Sequence, residues 1–263
     1  MITSTTSTGF FAAFGTSTGD VTIHRLEHDV FVPFSSFHAC DDEIASVSLS
    51  SPEYGQLIAV LPRRSSEVLI FDISSDFVAS LEISSPGTQL QFAPDSFKLY
   101  VITGKILFIF GIDVNWAILD EIEFEEPLSN ISVLPNSIAF ISHGSVLNLV
   151  SGSASGASSI VHSEDLYDEI SAVCGSPLFN DHRNTAYVCT GLINGSVMFL
   201  EVELSRGSMT KMTSYAAHKS RVVDLKWSMV GDVCVSSGVD STTMSYSLTP
   251  EFGFEQRLKI VIE

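Results

Sequence analysis

The sequence predicts an all-β chain of repeated units, and three observations lead there. Apolar residues never recur with helical spacing for any useful length. They come in short runs rich in Val, Ile, Phe, Thr and Ser, broken by Gly, Pro, Asn or Asp. One strand type also returns along the chain, following a tight polar turn and ending on a bulky side chain, at His24, Phe71, Phe110, Leu149, Leu200 and Tyr246. These ends lie about 47, 39, 39, 51 and 46 residues apart. A period of about 40 to 50 residues is the length of a four-stranded propeller blade. The expected fold is therefore a β-propeller of six to seven blades, with residues 1–263 as one domain.

Taken in order, Phe10–Phe14 and Val21–Arg25 flank the polar turn TSTGD. Ile44–Leu49, Leu57–Leu61 and Val68–Ile73 are β-branched runs bounded by Ser, Pro and Gly. Leu99–Ile102 and Ile106–Phe110 enclose Gly104, and Ile138–Ile141 and Val146–Val150 enclose Gly144. Ala186–Thr190 and Val197–Val202 enclose Asn194-Gly195, and Val222–Trp227 and Val233–Ser236 lead to Asp240. The longest interval holds an insertion, SPLFNDHRNT. The run EFGFEQRLKIVIE alternates as one further strand over 253–262. It is expected to complete the blade begun by the N-terminal strands, closing a ring that would otherwise leave open edges.

Charge narrows function. With 31 Asp+Glu against 13 Lys+Arg the net charge is −18, which repels phosphate backbones and anionic lipid surfaces. Nucleic acid is excluded as a partner, and so is direct membrane insertion. The stretch Tyr100–Leu119 is about as long as a bilayer span. Lys105 and Asp113 lie inside it, Gly104 and Gly111 punctuate it, and β-branched residues and Phe dominate, which favours short buried strands. Cys40, Cys174, Cys189 and Cys234 form no C-x-x-C pair, and no leader or transit pattern precedes them. A cytoplasmic location in a reducing compartment is expected.

The last two units carry a family likeness. Residues Tyr215 to Ser247 read YAAHKSRVVDLKWSMVGDVCVSSGVDSTTMSYS and resemble the WD40 repeat. The resemblance implies a structural relay from turn Asp240 to loop His218 to strand Ser236 to Tyr246, which stands where the family prefers Trp. The preceding TGLINGSVMFLEV keeps the same turn shape, with Asn194-Gly195 in place of Asp-Gly and Leu200 in place of Trp. Such a turn needs positive φ, which Asn and Gly tolerate. Over roughly the last 160 residues the segments GKILFIFGIDVNWAILDEIEFEEPLSNISV, DEISAVCGSPLFNDHRNTAYVCTGLINGSVMFLEVE and HKSRVVDLKWSMVGDVCVSSGVDSTTMSYSL are similar to the C-terminal propeller of BEACH-domain proteins. That likeness implies a scaffold in vesicle traffic or in lysosomal and autophagic membrane handling. It would recruit adaptors while another domain meets the membrane, placing the chain at the periphery of endomembranes.

Other polar clusters have plainer readings. His218 and Asp240 suit a loop-to-strand anchor better than acid/base catalysis. Asp20 reads as a turn residue. In LDEIEFEEP, the residues Asp120, Glu121, Glu123, Glu125 and Glu126 could hold Ca²⁺, but the alternation favours an outer strand with one wet face. HSEDLYDE, with Glu164, Asp165, Asp168 and Glu169, reads as a solvated loop able to meet a basic partner. The seven histidines show no zinc spacing, and no nucleophile elbow or phosphate loop appears. The segment GSASGASS reads as a flexible connection.

The expected function is a non-catalytic protein–protein interaction scaffold without cofactor or metal, whose partners are adaptors with basic surfaces. The alternative is a β-propeller hydrolase with a carboxylate or metal site in the central channel. A third reading is a WD40-like platform of a coat or ubiquitin-ligase assembly. An enzyme gathers carboxylates or histidines from several blades at one pocket, whereas a scaffold places exposed aromatics on one rim.

Overall fold

The computed structural model describes residues 1–95, 97–152, 157–180, 184–228, 230–249 and 253–261. It is all-β, with six four-stranded antiparallel blades of a β-propeller. Among the described residues the 3₁₀ turn Pro52–Tyr54 is the one helical element. The chain divides into two compact units of three blades each, Met1–Leu128 with Pro135–Ser137, and Ser129–Leu134 with Ile138–Glu263.

Every blade consists of four consecutive strands paired in chain order. In the first unit these are β1 (Ile2–Ser7), β2 (Phe11–Thr16), β3 (Asp20–Glu27) and β4 (Val30–His38), then β5 (Ile44–Leu49), β6 (Leu57–Pro62), β7 (Glu67–Asp72) and β8 (Phe77–Glu82), then β9 (Gln89–Phe92), β10 (Lys98–Thr103), β11 (Ile106–Gly111) and β12 (Ala117–Glu123). The second unit has β13 (Asn130–Leu134), β14 (Ile138–His143), β15 (Val146–Gly152) and β16 (Ser158–Asp165), then β17 (Ile170–Asn180), β18 (Thr185–Leu192), β19 (Ser196–Glu203) and β20 (Ser208–Ala216), then β21 (Val222–Trp227), β22 (Val233–Gly238), β23 (Thr242–Leu248) and β24 (Phe254–Val261).

The middle strands of the third blade are covered on both faces and so read as unbroken apolar runs, whereas β3, β22 and β23 alternate. LYVIT of β10 and ILFIF of β11 are nearly all buried. The expected strands of 100–119 are thus two buried strands and the start of β12, turned at Gly104 with φ +53. Among the described residues no helix is long and apolar enough to cross a membrane. All six repeated strand ends fall on the third strand of a blade, namely β3, β7, β11, β15, β19 and β23. The fourth strands are the exposed edges. Seven of the eight residues of β24 are exposed, and the acidic stretch does supply an outer strand in β12.

Within each unit, apolar side chains fill the seams between neighbouring blades. Leu61, Val68 and Ile70 of the second blade pack with Leu90, Phe92 and Leu99 of the third, and Phe140 and Leu149 of the fourth with Val188 and Leu200 of the fifth. Each such side chain contributes about 1.5–3 kcal/mol on burial.

A second device joins the first strands, which share no ladder. Serine hydroxyls on one blade accept the backbone N–H of the next: Ser4 from Val47 (3.0 Å), Ser46 from Leu90 (3.2 Å), Ser48 from Phe92 (3.0 Å) and Ser132 from Gly175 (2.8 Å). The partners are 43 or 44 residues apart, so one hydroxyl stitch recurs with the blade period and satisfies donors that no strand reaches.

The C-terminal strand corrects one expectation. β24 pairs with β23 and completes the sixth blade, while β1 completes the first. ITSTTS at the N-terminus supplies the strand of the first blade that 253–262 was expected to lend. It escaped notice because it is polar and half exposed. Residue 262 lies outside the described residues, as do 153–156 of the Ser-rich segment and 181–183 of the insertion, which include His182. The part of that insertion before residue 181 extends β17 to Asn180.

Candidate functional site

The sixth blade brings His218, Asp240, Ser236 and Tyr246 into one chain of hydrogen bonds. His218 lies in the connection from β20 to β21, Asp240 in the turn between β22 and β23, and Ser236 and Tyr246 on those strands. His218 Nδ1 is 3.2 Å from Asp240 Oδ1 and 2.8 Å from Thr242 Oγ1, and Nε2 is 2.7 Å from Ser236 Oγ. The carboxylate can only accept, so Nδ1–H donates to Asp240 and Ser236 O–H donates to Nε2. Tyr246 OH lies 3.1 Å from Ser236 Oγ and donates to it. Every polar atom in the relay is thereby satisfied, although the imidazole is fully buried and the Asp240 side chain only 8% exposed.

Asp240 also accepts from Lys219 N (2.9 Å, to Oδ2), Thr242 N (3.2 Å) and Thr242 Oγ1 (2.7 Å). Burial alone would raise its carboxyl pKa, but the donors from Lys219, Thr242 and His218 together hold it well below the usual carboxylate range. Tyr246 is shifted upward, first by burial. Gly238 makes room for the relay. A Cβ there would lie 2.5 Å from His218 Nδ1 and 2.6 Å from Asp240 Oδ1.

Strand register makes the fifth blade a direct counterpart. Ile170 faces Leu192 as Val222 faces Gly238, and Thr190 faces Met198 as Ser236 faces Met244. By that register Leu166 stands where His218 does, Leu192 at Gly238, Thr190 at Ser236 and Leu200 at Tyr246. The three leucines are buried in one cluster with Ile170 and Met198, and the Thr190 hydroxyl is buried without a hydrogen-bond partner. Asn194 Oδ1 accepts from Ser196 N at 2.8 Å, and Gly195 takes φ +88 with its Cα facing the His218 carbonyl. A Cβ at Gly195 would lie 2.3 Å from that oxygen, so the turn requires glycine on both counts.

Backbone bonds knit these loops into a band at one end of the unit. Ile193 N donates to Glu169 O, His218 N to Gly195 O and Val239 N to Arg221 O, each at 3.0 Å. The band presents Tyr167, 92% exposed at φ +64, with Ile193 at 38% and Val239 at 60%. Glu169, Lys219 and Arg221 are exposed beside them, and none of the three makes an ion pair among the described residues. Asp165 fixes the first loop. Its carboxyl pKa is lowered by hydrogen bonds from Ser145 and from Tyr167 N, the latter at 2.8 Å.

Elsewhere the polar groups have local partners. Asp20, the first residue of β3, accepts from Thr18 and His38, which lower its pKa in that order. His38 is held 3.0 Å from Asp20 on one ring nitrogen and 3.0 Å from Asp41 on the other, and its pKa is raised, first by Asp20 and then by Asp41. HSEDLYDE is the end of β16 plus a short turn rather than wholly a loop, because His162 to Asp165 pair with β15. The four cysteines are free thiols. Burial pushes Cys174 up to about 12 and Cys189, beside Cys234, well above its ordinary value, conditions that make thiols unreactive. Among the described residues no group of three or more His, Cys, Asp or Glu side chains is arranged to hold a metal ion. A shallow groove of about 390 Å³ on β3 and β4 is lined by His24, Pro33 and Phe34 and contains no carboxylate.

The relay residues were expected from the resemblance of residues Tyr215 to Ser247 to the WD40 repeat. The leucine lock of the fifth blade and the exposed band were missed; the one available signal was a tyrosine set among acidic residues in a short turn. No family model matches the sequence, and no curated protein matches it.

Proposed function

We propose that this chain is a WD40-like propeller that works as a non-catalytic interaction scaffold, and that the loop band of its second unit is where it engages protein partners. The observation that carries the reading is the pairing of exposed anchors with a rigid base. Tyr167, Ile193 and Val239 project from turns fixed by backbone hydrogen bonds and by the buried relay. Tyr and Arg are the residue types that concentrate binding energy, and a pre-ordered loop loses little entropy when it docks. Exposed acidic and basic side chains flank the anchors, which favours a partner with matching charges. A sharper form, resting on the likeness of the last 160 or so residues to BEACH propellers, sets the scaffold in cytoplasmic vesicle traffic.

Comparing the proteins captured from cells by the wild type, by Tyr167→Ala with Arg221→Glu, and by a control altered on the outer edge, Leu258→Ser, tests the reading. The band variant is expected to lose a discrete set of partners that the control retains. Identical captured sets for all three would overturn it. Membrane-traffic components in the lost set would support the sharper form, and their absence would remove it.

A further inference from the structure

The band is not charged at random. By register, Glu169 and Arg221 occupy the same position in consecutive blades, immediately before Ile170 and Val222, and Tyr167 and Lys219 likewise correspond. The Ile193–Gly195 turn lies between the two connections, bonded to Glu169 O on one side and to His218 N on the other. Acid and aromatic therefore stand on one side of an exposed aliphatic, with two cations at the equivalent places on the other. A surface of this kind is complementary to itself on a two-fold rotation, the condition for an isologous interface.

We infer that a second copy of this chain docks on the band, with the two-fold axis passing near Ile193. Glu169 of each copy then faces Arg221 of the other, and Tyr167 faces Lys219, whose ammonium lies over the ring. The two Ile193 side chains meet on the axis and exclude water from the flanking pairs. This inference rests on the scaffold reading of the same surface and names one occupant for it. The net charge of −18 opposes association at long range, but screening at physiological salt confines electrostatics to about 8 Å, leaving the facing pairs to decide the outcome. At low salt the whole-molecule repulsion is unscreened, so the dimer weakens there.

Sedimentation velocity of the purified chain over about 5 to 200 µM at physiological salt provides the test. The expected result is reversible dimerisation. Glu169→Arg and Arg221→Glu, each changed alone, should weaken it by about tenfold or more. Mixing the two variants should restore it, because the mixed pair has opposite charges at both contacts. Both positions are exposed, and melts matching the wild type would show that the variants fold. A monomer across the range, or a dimer indifferent to either reversal, or a mixture that fails to recover, overturns the inference. A monomer would leave the scaffold reading intact if Arg221→Glu still lost its cellular partners, so the two can fail separately.

Discussion

The fifth and sixth blades share one strand register and solve the same problem with opposite chemistry. Each must fix the turn between its second and third strands against the connection that enters the blade. The sixth does so with a buried relay through His218, Asp240, Ser236 and Tyr246. At the equivalent positions the fifth has Leu166, Leu192 and Leu200, buried in one apolar cluster. A buried polar network has a high desolvation cost and holds only when every member is satisfied, whereas leucines of suitable shape need no partners. One strand register therefore carries either lock, and a polar member left inside the apolar one goes unsatisfied. The buried Thr190 hydroxyl, without a partner, is what remains when one polar member persists inside an apolar solution.

The largest effect that separates the blades is expected at Gly238. An added methyl would press on His218 and Asp240, and Gly238→Ala should lower unfolding free energy by about 3 kcal/mol, measured by urea denaturation. A loss below about 0.5 kcal/mol would mean the relay has slack that the packing does not show.

Acid should act next, on the carboxylate of the sixth-blade relay, for which the leucines at the equivalent positions of the fifth offer no titratable counterpart. Asp240 has a folded pKa below its unfolded value, so its contribution is fully present above the ordinary carboxylate range and fades as pH falls from about 4 downward. Asp240→Asn should flatten that part of the stability–pH curve. A slope unchanged by the substitution would assign the acid sensitivity to other carboxylates.

The smallest contrast is also the most discriminating. Ser236→Ala strands His218 Nε2 and Tyr246 OH and should cost about 1–3 kcal/mol. Thr190→Val at the equivalent site removes a hydroxyl with no partner and should leave stability unchanged or raise it by up to about 1 kcal/mol. Equal losses at both positions would erase the distinction between the two locks.

These particular residues show what sequence reading could reach. The third strands were legible because their buried run ends on a bulky side chain, as at Phe71, Phe110 and Leu200, and recurs with the blade. ITSTTS of β1 and SMTKMTSYA of β20 were not, since these polar, half-exposed strands contain no apolar run. The relay could be named because His218, Ser236 and Asp240 stand where the WD40 repeat that this segment resembles has the same residue types. Its leucine counterpart could not, because Leu166 and Leu192 look like any core residues until the register matches the fifth blade to the sixth, with Leu192 opposite Ile170 as Gly238 is opposite Val222. The serine stitches share that obscurity. Serine is common, and a spacing of 43 or 44 residues acquires meaning only when the first strands are seen side by side.

The central claim is that the two locks are interchangeable as sets and incompatible in part. Its most direct test grafts the fifth-blade solution into the sixth, as His218→Leu, Gly238→Leu, Asp240→Asn and Tyr246→Leu together, alongside each single change, with unfolding free energies measured for all. The four-fold variant is expected to fall within about 1–2 kcal/mol of the wild type, a far smaller loss than the single losses summed. A four-fold variant as unstable as that sum would contradict it.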